Sequence, residues 1–139
     1  MLLKAFVLIS TVLLLMSLGF SVLGSTPLLI LKHDVAMDSR VIRQVFHYCY
    51  RLIAVMATAA TIAFALAGRP LLSVCLGCMA VLALVLHHVM LTRMDVLRTT
   101  MHDGDTTAIS RFRKLHVTGI ALNLSQLGAL TWGMTQVAL

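Results

Sequence analysis

The chain contains no glutamate, and its five acidic residues are all aspartates. Proline occurs twice and cysteine three times among 139 residues; aromatic residues make up 6% and charged residues 12%. Charge is missing in blocks: Ala5–Leu31, Leu52–Gly68, Pro70–Thr92 and Leu115–Leu139 hold no Asp, Glu, Lys or Arg. Each absence excludes something. Four such stretches leave no length for a separate soluble domain. There is no Gly-rich phosphate loop, no hydrolase nucleophile motif and no carboxylate inside a stretch, so the usual signatures of nucleotide binding and acyl transfer are absent. A net charge of +6 without a basic stripe on a soluble surface excludes nucleic acid as a partner.

Hydrophobic residues fill the space, at 60% of the chain and a mean hydropathy of +0.97. A helix needs about 20 apolar residues to cross a bilayer core, and each stretch approaches or exceeds that length. The apolarity is continuous rather than alternating, which selects helices over barrel strands. The sequence therefore predicts an all-α integral membrane protein, an up-down four-helix bundle in a single domain, 1–139. Its spans fall at about 5–31, 46–68, 70–92 and 115–138. Met1–Ser25 is built like a secretory signal, with Val22-Leu23-Gly24 before Ser25. Its apolar run continues through Pro27 to Leu31, so it is read as a first transmembrane helix that tilts or kinks near Pro27.

Orientation follows from the eleven Lys and Arg. Lys32, Arg40, Arg43 and Arg51 lie in or beside the first connection, and Arg93, Arg98, Arg111, Arg113 and Lys114 in or beside the third; Lys4 and Arg69 lie on the other side. The positive-inside rule places both longer connections in the cytoplasm and both termini outside, in the periplasm or lumen.

Punctuation marks the helix ends. Asp38-Ser39 reads as an N-cap for a second helix carrying Arg40, Arg43, His47 and Arg51 in its first turns. Gly68-Arg69-Pro70 reads as a helix stop, a tight turn and a Pro-led restart. Asp103-Gly104-Asp105 breaks the pattern, with Asp105 the cap of a helix running into the last stretch. Small residues at helical spacing, Ala59, Ala63 and Ala67 beside Ala57, Thr61 and Ala65, and later Gly119 and Gly133, predict close helix packing in lipid.

The polar residues gather at one depth. His47 enters the second helix, His87 and His88 leave the third, and His116 enters the fourth, all near the cytoplasmic boundary. Arg40, Arg43, His47 and Arg51 share one face; His116, Asn123 and Gln126 form a second inward stripe. Polar groups within a span face the bundle or a watery cavity. A shared pocket of His47, Arg51, His87, His88, His116 and Asn123 has the chemistry to ligate haem b iron, with arginine holding the propionates. The plainer role is snorkelling to headgroups or hydrogen bonding between helices. His87 with Met90, Met94 and Met101 also offers soft ligands for copper, although methionine at this spacing is ordinarily packing. Cys75-Leu76-Gly77-Cys78 resembles the paired cysteines of quinone-linked thiol oxidases of the DsbB and vitamin K epoxide reductase types. The outward turn lacks the second pair such chemistry needs, which leaves small apolar buried cysteines as the alternative.

Phe112-Arg113-Lys114-Leu115-His116, followed by Asn123-Leu124 and Leu127, resembles the start of the last span in the transmembrane protein 205-like family of four-helix membrane proteins. Gly19 and Pro27, and Phe46 with Tyr50, are similar to its other landmarks; Val117-Thr118-Gly119 stands where that family has Gly directly after the His. The resemblance covers most of the chain and implies a small integral membrane protein without an established reaction. Lys4-Ala5-Phe6, His33, Tyr50-Arg51-Leu52-Ile53 and the late histidine of the third stretch resemble fragments of HemJ-type protoporphyrinogen oxidases, which implies a haem-binding bundle. Here Val7 replaces the first-span histidine of that family. The expectation is a non-catalytic membrane protein, structural, accessory or transport-associated, working with the bilayer and with other subunits or a second copy. The alternative is a haem b redox protein, and whether the chain is an enzyme stays open.

Overall fold

The computed structural model describes residues 1–30, 36–102 and 105–135. Lys32, His33, Asp103, Gly104 and the end of the fourth stretch lie outside these residues. Four helices follow in order: α1 (Leu2–Ser25), α2 (Ala36–Leu66), α3 (Pro70–His102) and α4 (Thr106–Thr135), with a single 3-10 turn, Pro27–Ile30, after α1. The chain is all-helical, as its apolar runs require. Among the described residues three segments, Leu2–Ile30, Met37–Leu66 and Pro70–Met101, are long and apolar enough to cross a membrane. At about 1.5 Å per residue, α2, α3 and α4 each extend roughly 45–50 Å, beyond the ~30 Å hydrocarbon thickness.

The helix ends follow local chemistry. Gly68 has φ +68°, and Arg69 N–H donates to Phe64 O at 3.0 Å while Gly68 N–H donates to Ala65 O at 3.1 Å. This is a Schellman closure, whose left-handed residue favours glycine, and Pro70 restarts the chain where its missing N–H costs nothing. Asp105 caps α4: its Oδ1 accepts from Thr107 N–H at 2.8 Å and from the Thr107 hydroxyl at 2.6 Å. The expected cap at Asp38-Ser39 is corrected, because α2 already begins at Ala36 and Ser39 is a buried side chain inside it. The first span breaks where a tilt or kink near Pro27 is expected, with α1 ending at Ser25. Pro27 lacks an amide to continue the ladder, and α1 gives way to the 3-10 turn.

The three-residue gaps between α2 and α3 and between α3 and α4 make consecutive helices antiparallel neighbours. Each helix packs on the one before it, and α4 closes the ring against α1. The core has two apolar clusters. One is rich in alanine, with Ala57, Ala60, Ala63 and Phe64 of α2 against Leu14, Leu18, Leu76, Ala80 and Ala83. The other, nearer the α2 N-terminus, joins Ile42, Phe46 and Tyr50 to Met90, Met94 and Phe112. The close-packed alanine stripe is thus Ala57, Ala60 and Ala63; Ala59 and Ala67 are half-buried and Ala65 is exposed. This i, i+3 stripe joins a cluster with apolar side chains of both α1 and α3, and small residues there let neighbouring backbones approach.

Candidate functional site

The site begins with the face of α2 turned to α3. Arg43 clamps Asp95 with both arms, Nε to Oδ1 and Nη2 to Oδ2, each at 2.8 Å. One turn outward, Arg98 Nε donates to Ser39 Oγ at 3.3 Å, and its Nη1 stands 3.7 Å from Asp95. One turn inward, His47 Nδ1 and His87 Nε2 are 3.1 Å apart in a hydrogen bond, with ring centroids at 5.0 Å. One of these nitrogens donates and the other accepts, so the bond requires at least one neutral imidazole. Deeper still, the Ser73 hydroxyl donates to Thr61 O at 3.0 Å. The residue numbers fall on α3 as they rise on α2, so the hairpin is cross-linked by a polar ladder along its length.

A second constellation lies on the other side of α2. Ala108, Phe112, His116, Gly119, Asn123, Gln126 and Leu130 form the buried stripe of α4, at spacings of three and four. His116 is fully buried, its ring edge-on to Phe46 at 5.5 Å between centroids. Gly119 makes this approach possible, since a Cβ there would stand 2.5 Å from Phe46 Cε1 and 3.4 Å from the Tyr50 hydroxyl. Asn123 Nδ2 donates to Ser21 Oγ of α1 at 2.7 Å. The sequence shows Asn123 and Gln126. It gives no reason to single out Ser21, although Ser10, Ser17, Ser21 and Ser25 form a buried seam along α1.

The expected pocket therefore divides. His47 and His116 stand at one level, as adjacent Phe46 and His47 show, but α2 separates them: Phe46 meets His116 while His47 meets His87. His88 and Arg51 are exposed, and Asn123 sits one to two turns deeper than His116. Haem held by two imidazoles needs their nitrogens on opposite faces of a porphyrin. His47 and His87 instead bond directly, with no width between them for a macrocycle, and His116 is fully buried with its ring against Phe46. The residues do not fit the group. Met90 and Met94 are buried with Phe46 and Ile42 as packing, and among the described residues no three His, Cys, Asp or Glu side chains gather as metal ligands.

The cysteines are free; Cys49 is buried, whereas Cys75 and Cys78 are exposed, which corrects the buried alternative for that pair. Both point away from the bundle axis, because α3 turns Leu76, Ala80 and Ala83 inward instead. Comparison with protein-family models, with curated proteins and with solved structures finds no match to this chain.

Proposed function

We propose that this chain is a small non-catalytic membrane protein that crosses the bilayer four times and serves as a structural, accessory or transport-associated component. One observation carries the reading: large apolar side chains cover the outer surface while polar ones are buried between helices, where Asn123 bonds Ser21. Phe20, Leu71, Val81, Leu84 and Trp132 are exposed, whereas Ser21, His116 and Asn123 are buried. That is the distribution that lipid requires and water penalises. The same logic supports α4 as a fourth crossing despite its lower apolarity. Its outward Val117 and Leu124 suit lipid, and the exposed hydroxyls of Thr118, Ser125 and Thr131 donate to Lys114, Ala121 and Leu127 carbonyls at 2.8–2.9 Å within the helix. Arginine, aspartate and histidine join α2 to α3 in the ladder, a role that favours scaffold over reaction centre.

The test is biochemical. The protein is expected to stay with membranes through alkaline carbonate extraction and to migrate, in mild detergent, within an assembly larger than one copy. Release into the supernatant would overturn the membrane placement; a lone copy, with no partner recovered after cross-linking, would overturn the accessory role.

A further inference from the structure

The feature left unused by the ladder and the α4 stripe is a groove of about 570 Å³ between α3 and α4. Val89, Met90, Val96, Leu97 and Leu115 supply apolar walls; Arg93, Arg111 and Lys114 supply the only charges among the lining residues. Asp95, the nearest acid on α3, is turned away to Arg43 and Arg98 on the α2 side. A second recess continues over Ser110, Arg113 and Lys114, adding another cation to the same rim. Among the described residues, Asp105, which bonds Thr107, feels the charge of Arg111.

We infer that the α3–α4 groove seats one anionic phospholipid, its phosphate between Arg93 and Lys114 and an acyl chain along Val89 and Leu115. Three cations lining one groove repel each other, and more strongly beside hydrocarbon than in water. An anion relieves that repulsion, and one carrying its own apolar tail also covers the walls. Basic recesses between helices at a membrane face recognise lipid headgroups by this combination. The position agrees, since Arg93, Arg111 and Lys114 put the recess at the basic end of the bundle. Guanidinium forks match phosphate oxygens in pairs, and the Lys114 ammonium adds a point charge. The inference rests on the four-crossing reading, and its test separates the two.

The full chain, reconstituted into phosphatidylcholine bilayers with and without phosphatidylglycerol, is released into micelles and weighed by native mass spectrometry. Wild type is expected to retain one phosphatidylglycerol in preference to phosphatidylcholine. Preference should fall about fivefold for each cation removed in Arg93→Gln and Lys114→Ala, at roughly the strength of a single Lys or Arg near an anionic surface. Both side chains are exposed, so their loss leaves the packing intact. Val89→Trp keeps every charge but fills the wall, and is expected to lose the preference too; Lys4→Ala, at the far end, keeps it. Equal retention of both lipids by wild type, unchanged preference in Arg93→Gln with Lys114→Ala, or an acidic protein in place of lipid overturns the inference. Incorporation into phosphatidylcholine alone would still leave the membrane reading standing, whereas failure to incorporate into either bilayer would remove both.

Discussion

Asp95 is the hinge of the ladder because it is the anion for two arginines. Removing Arg43 leaves Asp95 with Arg98 close by, whereas removing Asp95 leaves two guanidinium groups facing each other across the hairpin. Asp95→Ala is therefore expected to destabilise the protein more than Arg43→Ala. The pair is part-exposed, with side chains 28% and 44% accessible, so its coupling in a double-mutant cycle should be about 0.5–1 kcal/mol. Denaturation of the four variants in one detergent measures this; equal single losses would mean that Arg98 does not share the carboxylate. Gly119 gives a steeper test. Alanine there drives a methyl into the Phe46 ring and should cost about 1–3 kcal/mol. Gly128→Ala meets nothing within 4 Å and should be neutral or slightly favourable. Phe46→Leu combined with Gly119→Ala should recover part of the loss, and thermal unfolding of the set reads the comparison.

At the scale of single residues the sequence is a partial guide, for a geometric reason. Spacing of three and four places Arg43 and His47 on one face of α2, and His116 and Asn123 on one face of α4. It does not say which helix stands opposite each face. Phe46 and His47 are neighbours in the chain yet about 100° apart around the helix, enough to send one to α4 and the other to α3. The histidines consequently share a depth and not a pocket.

Among the elements, the ends are most legible where chemistry is local. Gly68-Arg69-Pro70 and Asp105 act within one turn of themselves, so their roles follow from residue type. Asp38-Ser39 has the same local signal, but Ser39 is drawn into the hairpin by Arg98, and a long-range partner overrides the cap. For Asp105, the hydrogen bond from the Thr107 hydroxyl, followed by that from the Thr107 amide, lowers the carboxyl below its ordinary range. A depressed carboxylate stabilises the fold above its unfolded pKa and loses that contribution as pH falls through the depressed value. The α4 cap should accordingly persist at neutral pH and weaken only in acid. Asp105→Ala is expected to fray the start of α4 at pH 7, seen as faster amide exchange at Thr106–Ala108, while exchange at Asn123 is unchanged. Equal protection in both proteins would contradict the cap.

For the molecule as a whole, the bundle is apolar over its outer surface as well as through most of its core. Apolar side chains face out along α1, α2 and α3, and the interior is divided between alanine packing, aromatic packing and a polar seam where Ser21 meets Asn123. The polar seam explains why α4 is the least apolar helix and still belongs in the bundle. It carries the polar side chains that the interior uses, and its outward hydroxyls are satisfied by its own backbone. The absence of charge in the four stretches makes the number of helices and their all-helical character legible in the sequence. The seam itself is not, because serine on α1 looks no different from serine anywhere else until Asn123 lies across from it.

The most direct test of the four-crossing account is the side of the membrane on which each end of α4 lies. In a protein with Cys49, Cys75 and Cys78 replaced, single cysteines at Leu2, Arg69, Asp105 and Thr135 are reacted with a membrane-impermeant maleimide in sealed vesicles. The account predicts Leu2, Arg69 and Thr135 labelled from one side and Asp105 from the other. Thr135 labelled from the side of Asp105 would show α4 lying along the membrane rather than through it, and would contradict the account.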